Sequence, residues 1–245
     1  MPSKIETLEG YVIQANKYKE KDTIITFLTK EKKRAVLIRG GYKPESKNHS
    51  ATLLFNKLLL DVNAVHPSFL SATGHKTLIN NSVLYEKLEY ALLGQYINEI
   101  IIKFFQDEDK LPYDYYEEIF KAALVGFDPV TLAFIFTCAS VNLLGLSPNV
   151  DECINCRRKN NLVAFNLTEG GFICNECAAN MNMQASPVEY MKVFRYGFKV
   201  KADQIQRAVL PKSTALICLS ELSLYLQDQL GYKINSLELF LEALK

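Results

Sequence analysis

The sequence contains no motif that cradles a nucleotide phosphate or activates a nucleophile, and it has only three histidines. P-loop, GxGxxG, HExxH and GxSxG patterns are all missing. The histidines lie in the first third of the chain, which leaves a Ser/His/Asp triad few candidate members, at His49, His66 and His75. These absences argue against the enzyme classes that the motifs define, and we predict that the protein is not an enzyme.

A long, uninterrupted apolar run is also missing. The longest apolar stretch, Val130 to Leu146, is broken by polar residues and is shorter than the roughly 20 residues that a membrane span needs. It predicts a buried core helix instead. The polar stretch Met1 to Gly10 has no apolar core segment and therefore does not resemble a secretory signal. We expect a soluble, cytoplasmic protein without a membrane partner.

The composition is that of a folded protein with unevenly distributed charge. Hydrophobic residues make up 49% of the 245 residues, enough for one large domain or two small ones, and the net charge is +1. Residues 1–80 have a charge balance of +6, residues 81–150 one of −6 and residues 151–245 one of +1. The excess in the first segment favours a basic surface and a polyanionic partner, although a merely solvated surface is the alternative.

The first 80 residues have the alternation and the β-branched content of short strands. Five strands are predicted, near Gly10 and at 22–29, 34–39, 52–62 and 69–78. Five short strands in residues 1–80 predict a small barrel, for which an OB-fold is the natural candidate.

After residue 80 the apolar period becomes helical. Residues 81–149 and 181–245 are predicted to form an α-helical domain, interrupted by an insert at 150–180. Helix starts are predicted at Asp128 before Pro129, at a capping box in Ser186–Glu189, and at Asn235 with Glu238 three residues later.

The insert contains two CxxC pairs, Cys153/Cys156 and Cys174/Cys177, with seventeen residues between them. Each pair places two sulfurs on one side of a turn, and together they match a tetrahedral four-thiolate zinc site. Four thiolates leave no position for a substrate water, so we predict one structural Zn²⁺. A pair of disulfides and a redox CxxC are the alternatives, disfavoured by a cytosolic compartment and by two facing pairs respectively. The fold class is therefore α+β multidomain: an N-terminal OB-fold β-barrel, then an α-helical domain with an inserted four-cysteine zinc module.

Basic side chains with interleaved aromatic residues are concentrated in the predicted barrel. Charge tracks a nucleic-acid backbone and rings stack on bases, and the loops of an OB-fold are the usual contact surface. Tyr18 and Tyr42 lie within the basic groups. We predict DNA contacts at Lys17, Lys19, Lys30, Lys32, Lys33, Arg34, Arg39, Lys43 and Lys47.

Several segments, in their order along the chain, resemble the RecO family of recombination mediators. They are GYVI from Gly10, KDTIITFLT from Lys21, GGYKPESK from Gly40, LLFNKLLL from Leu53, LLGLSP from Leu143, the Gly170-Gly171 pair before CNEC from Cys174, and Ser236-Leu237. The similarity covers essentially the whole chain. One departure is Arg157, which stands where the family usually has a glycine after the second cysteine.

The resemblance implies a bacterial DNA repair and recombination mediator that works without covalent catalysis. Proteins of this family bind and anneal single-stranded DNA, and they act with RecR and the single-strand binding protein to load RecA. It therefore implies single-stranded DNA, RecR and the single-strand binding protein as partners, RecA indirectly, and a nucleoid-associated location. The main rival is a zinc-stabilised protein-interaction adapter without direct DNA binding; a hydrolase or transferase is weaker, because no polar constellation supports it.

Overall fold

The computed structural model describes residues 5–66, 69–106 and 109–244. The chain packs as two compact units, one formed by Met1–Gly94 with Gln106–Tyr113, the other by Gln95–Phe105 with Asp114–Lys245. The first unit extends beyond residue 80, where the barrel was predicted to end. The predicted domain boundaries stay a prediction.

A closed five-stranded barrel forms the centre of the first unit. Its strands are β1 (Glu6–Tyr18), β2 (Asp22–Leu28), β3 (Lys33–Ile38), β4 (Lys57–His66) and β5 (Phe69–Ile79). They follow the order β1-β2-β3-β5-β4 and are antiparallel except for the β3–β5 pair, where Val36 lies beside Leu70. Closure removes the exposed edges that an open sheet would present. This is the five-stranded, partly parallel arrangement of an OB-fold, and it confirms the predicted fold class.

Alternation along the strands separates the barrel core from its surface. In β2, Thr23, Ile25 and Phe27 are buried, while the residues between them are partly exposed. Ile25 and Phe27 pack with Val12, Val36 and apolar residues of β4 in one core. The sequence places β-branched and aromatic residues at every second position, which suits a pleated strand with one buried face.

Helices make up most of the second unit. They are α1 (Leu88–Phe104), which begins in the first unit, α2 (Tyr113–Leu124), α3 (Pro129–Leu143), α4 (Asn175–Asn180), α5 (Val188–Lys199), α6 (Lys212–Leu230) and α7 (Ser236–Ala243). Helix α3 is buried on nearly all sides, which explains its continuous apolar sequence. The Tyr96 hydroxyl lies 2.7 Å from Thr137 Oγ1 and 2.8 Å from Ser223 Oγ, so one buried polar group joins α1, α3 and α6.

The cysteine insert adds a two-stranded hairpin and a short helix to this unit. Strands β6 (Leu162–Asn166) and β7 (Gly171–Cys174) pair antiparallel, and α4 follows directly. Short 3₁₀ helices lie at His49–Thr52, Ser82–Glu86 and Ala202–Arg207. Among the helices of the described ranges, none combines the length and the apolar character that crossing a bilayer demands.

The predicted helix starts had different outcomes. Asp128 caps α3 as predicted, since its carboxylate accepts from Thr131 N at 2.8 Å. The capping box at Ser186–Glu189 is wrong. Ser186 Oγ instead accepts from Phe165 N at 3.0 Å, because the chain runs beside β6 there, and α5 begins after Pro187 without a side-chain cap.

Helix α7 is capped from a distant part of the chain. Asn235 provides no side-chain cap, and the Glu99 carboxylate of α1 accepts from the backbone N–H groups of Asn235 and Ser236, each at 2.8 Å. Lys103 Nζ lies 2.6 Å from Glu99 Oε1 and completes the cluster. Burial opposes ionisation of Glu99, but these hydrogen bonds outweigh it and hold the pKa below its ordinary value of 4.5.

Replacing Glu99 by glutamine is expected to lower the free energy of unfolding by about 1 kcal/mol near neutral pH, because charge-assisted bonds to a helix N-terminus become neutral ones. Since folding lowers the pKa, the carboxylate stabilises the protein above pH 4.5 and loses this contribution as the pH falls through the folded-state pKa. Urea unfolding at several pH values measures the difference, with Glu242→Gln on the exposed side of α7 as the control. A gap between wild type and Glu99→Gln that persists at low pH would contradict the assignment.

Candidate metal centre and nucleic-acid interface

The four cysteines of the insert come together in one cluster. Cys153 and Cys156 lie in the segment before β6, Cys174 ends β7, and Cys177 lies in α4. All four Sγ atoms lie within 4.8 Å of one another, and the Cys156 and Cys174 sulfurs are 3.6 Å apart. The structure therefore brings together the four residues that the spacing selected.

The cluster has the size of a tetrahedral thiolate site. Zn–S bonds of about 2.3 Å place sulfurs about 3.8 Å apart at the corners of a tetrahedron, close to the observed spacing. A disulfide needs sulfurs about 2.05 Å apart, and the cysteines of the described residues are free. The donor set fits one Zn²⁺.

The surroundings of the sulfurs favour thiolates at one position and oppose them at another. Burial disfavours the Cys153 thiolate, but backbone N–H groups of Cys174, Cys156 and Asn155 donate to it and lower its pKa to about 6. Hydrogen bonding with the neighbouring Cys174 sulfur, together with burial, raises the pKa of Cys177 to about 12. Adjacent thiols resist ionising together, and a bound dication removes that conflict.

A tight turn presents the first pair. Arg157 N donates to Cys153 O at 2.8 Å, and Cys153 N donates to Arg158 O at the same distance. Arg157 takes a left-handed φ of +60°, a conformation that glycine adopts at little cost and other residues adopt only with strain. Arg158 Nη1 lies 2.5 Å from Glu176 Oε1 and so connects the turns of the two pairs. This ion pair was not predicted, because the two residues lie eighteen positions and one hairpin apart.

The Gly170-Gly171 turn closes the hairpin against the chain before Cys153. Both glycines have positive φ, +93° and +145°. Asn149 N donates to Gly170 O at 2.7 Å, and Phe172 N donates to Asn149 O at 2.9 Å. A Cβ on Gly171 would lie 2.2 Å from Asn149 O, whereas one on Gly170 would meet nothing within 4 Å.

The Gly171→Ala change is therefore expected to be far more damaging than Gly170→Ala. The latter carries only backbone strain of about 1 kcal/mol, whereas the former must also displace the backbone at Asn149 and should cost about 3 kcal/mol or more. Thermal unfolding of the two variants, with zinc content measured alongside, makes the comparison. Equal losses of stability would show that the close approach of Asn149 does not matter.

The basic residues of the barrel fall into two groups at opposite ends of the β2–β3 hairpin. Lys17, Lys19, Arg39 and Lys43 lie near the β1–β2 turn and the loop that leaves β3, while Lys30, Lys32, Lys33 and Arg34 lie at the β2–β3 turn. The seven residues of β2 separate the groups by about 20 Å at 3.3 Å per residue. We call the first set the loop-end group and the second the turn group.

Backbone contacts hold the loop-end group together. Tyr42 N donates to Lys21 O at 3.1 Å, and Gly40 N donates to the Asp22 carboxylate at 2.8 Å, so the loop after β3 is fastened to the β1–β2 turn. Lys17 Nζ lies 4.4 Å from the centre of the Tyr42 ring, and that ring is half exposed. This cation–π contact shows charge and an aromatic face at one surface.

The loop-end group also includes a pair of aromatic rings. The Tyr18 and Phe69 rings meet edge to face with centroids 5.9 Å apart, and Lys19 Nζ lies 5.2 Å from the Tyr18 ring. Sequence reasoning noted Tyr18 but missed Phe69. No local signal marks Phe69 as a partner, because only the closure of the barrel brings the start of β5 near the end of β1.

The turn group and Lys47 have different surroundings. Arg34 Nη2 lies 3.6 Å from Glu6 Oε2, so part of its charge is balanced within the protein. Lys47 is exposed on the long loop near His75. Burial, followed by the Lys47 charge, lowers the pKa of His75. At neutral pH the basic character here therefore comes from Lys47 rather than from His75.

Two family models and several curated relatives match most of the chain. The family model described as "Recombination protein O N terminal" matches residues 1–68, and "Recombination protein O C terminal" matches residues 85–238. Curated relatives named "DNA repair protein RecO" include one from Halalkalibacterium halodurans, 28% identical over 69% of this chain and 67% of its own length. Those from Bacillus subtilis (27%, over 69% and 67%) and Listeria monocytogenes (26%, over 82% and 80%) are similar.

Proposed function

The chain belongs to the RecO family of DNA repair proteins, and on that premise we propose that it binds and anneals single-stranded DNA as a recombination mediator. The role includes cooperation with RecR and the single-strand binding protein in loading RecA, and it proceeds without covalent chemistry. Its place is the bacterial cytoplasm, at the nucleoid. The proposed domains are the barrel at 1–80, the helical domain at 81–149 and 181–245, and the zinc insert at 150–180.

The observation that carries the proposal is the loop-end group, where lysines lie over the exposed Tyr42 ring and the partly exposed Tyr18 ring at one end of an OB barrel. Lys17 with Tyr42 and Lys19 with Tyr18 are the two such pairs, at 4.4 and 5.2 Å. Cations there neutralise phosphates, and a base stacks on a ring without regard to its sequence. The loops of OB-folds are a common site of such binding. Sequence-tolerant binding is what annealing of arbitrary strands requires.

The turn group extends the proposed surface along β2 and β3. A strand crossing from the loop-end group to Lys30, Lys32 and Lys33 would cover the length of the hairpin and meet positive charge at both ends. The four-cysteine cluster, holding one structural Zn²⁺, fixes the hairpin β6–β7 and α4. When bound, the ion supplies coordination that joins the two cysteine pairs.

Fluorescence anisotropy of a labelled single-stranded oligonucleotide tests the proposal. We expect saturable binding that is similar for mixed sequences and weakens steeply between low and moderate salt. Folded, zinc-loaded protein that fails to bind at low salt would exclude direct DNA contact. The interaction-adapter role would then become the better description.

A further inference from the structure

Helix α6 carries an exposed stripe that does not fit a solvated helix face. Its buried side, which includes Leu219 and Leu222, packs within the helical unit. On another side, Ile217, Glu221, Leu224 and Asp228 follow one another at spacings of three and four residues, so they share one face. Ile217 is 54% exposed and Leu224 61% exposed. Large aliphatic residues regularly spaced with acids are typical of a contact surface rather than of a purely solubilising one.

The stripe borders a groove between α6, the start of α5 and the β6–β7 hairpin. The groove has a volume of about 480 Å³ and is lined by Phe165, Tyr190 and Tyr225 together with Leu224, Glu221 and Asp228. The Phe165 and Tyr190 rings meet edge to face with centroids 6.0 Å apart, so this wall is packed in place. Tyr225 OH donates to Leu146 O at 3.2 Å, which fixes the ring on the other side.

The charge in this groove has one sign. Among the described residues that line it, the charged ones are Glu221 and Asp228, and both are acidic. The Tyr190 hydroxyl donates to Glu221, which holds that carboxylate at the wall. Glu189, next to Tyr190 at the beginning of α5, accepts from Thr214 near the start of α6.

We propose that this groove, formed by Phe165, Tyr190, Glu221, Leu224, Tyr225 and Asp228, binds a basic segment of a partner protein that carries aliphatic side chains between its cations. The occupant follows from charge complementarity. An arginine lying on a tyrosine face pairs its guanidinium with Glu221 or Asp228, and a neighbouring leucine covers Leu224. A nucleic acid or an acidic tail would meet repulsion here. The site is distinct from the basic barrel surface and does not depend on DNA binding.

The test uses the full-length, zinc-loaded protein without DNA. The probe is a short fluorescein-labelled peptide that alternates arginine and leucine, and its binding is measured by fluorescence anisotropy at moderate salt. One control peptide has glutamate in place of arginine, and another has serine in place of leucine. The double variant Glu221→Gln/Asp228→Asn removes the acids, and Glu238→Gln/Glu242→Gln makes the same change of charge on α7, away from the groove.

We expect the arginine–leucine peptide to bind, and the groove variant to weaken binding at least about tenfold, as expected for the loss of two partly desolvated charge pairs. The α7 variant should change the affinity for this peptide less than twofold, and both control peptides should bind much more weakly.

Equal binding to both double variants, stronger binding of the glutamate peptide, or no binding of the probe at millimolar concentration would each overturn the proposal. Concentration-dependent dimerisation that the groove variant abolishes would also overturn it, because a second copy would then be the occupant. Loss of oligonucleotide binding with intact peptide binding would count only against the proposed DNA function.

Discussion

Substitution of Cys153 by serine is expected to lower the affinity for Zn²⁺ by more than about 100-fold. Loss of a residue that only supports a metal ligand lowers the affinity by up to about 100-fold, and loss of a ligand itself should lower it further. Cys153 is fully buried, and its sulfur accepts backbone N–H groups from the turns of both pairs. Without the metal, the first turn is still joined to β7 by the hydrogen bond from Ile154 N to Phe172 O (2.9 Å), and to α4 by the partly exposed Arg158–Glu176 pair, which contributes little. We therefore expect the β6–β7 hairpin and α4 to lose their fixed packing.

Zinc content after dialysis and competition with a chromophoric chelator measure the effect. Because a buried substitution sometimes prevents folding, Cys156→Ser provides a second variant at an exposed ligand position, where zinc should also be lost. Cys218→Ala removes a buried thiol outside the cluster and should retain about one zinc per chain. Unchanged zinc affinity in both serine variants would place the metal elsewhere.

Charge reversal across the loop-end group is expected to weaken single-stranded DNA binding by about 100-fold at moderate salt, since each lost phosphate contact costs several-fold in affinity. The variant is Lys17→Glu/Arg39→Glu/Lys43→Glu, and all three residues are exposed, so the barrel core is unaffected. The slope of log affinity against log salt should also become shallower by about three phosphate equivalents.

The turn group provides a matched control with the same change of charge. Lys30→Glu/Lys32→Glu/Lys33→Glu should weaken binding no more than about tenfold, because the Tyr42 and Tyr18 rings that we propose to stack on bases lie at the other end of the hairpin. A Tyr42→Ala variant should reduce affinity by about tenfold with little change in the salt slope, since stacking releases no counterions. If the turn group dominated, the DNA footprint would lie on the opposite end of the barrel.

The buried helix α3 shows how far local pattern reaches. Its continuous apolar run, its Asp128 cap and the left-handed Gly145 that follows its last turn are properties of neighbouring residues, and the structure has each of them. The five strands were located in the same way, because alternation is a local property. The predicted capping box at the start of α5 was wrong for the opposite reason. Ser186 Oγ accepts a hydrogen bond from Phe165 N in β6, which lies 21 residues earlier in the chain, so the residues around Ser186 give no sign of this contact.

The sequence by itself determined which four cysteines form the candidate metal site, the order of barrel, helices and insert, and the surplus of positive charge in residues 1–80. Each of these rests on short spacings or on counts, which folding does not alter. Only the tertiary structure decided that the basic residues divide into two groups, that Phe69 joins Tyr18, that Glu99 caps α7 and that α5, α6 and the hairpin enclose an acidic groove. These features depend on which distant segments pack together, and that choice is made by burial of the whole apolar surface rather than by any local pattern.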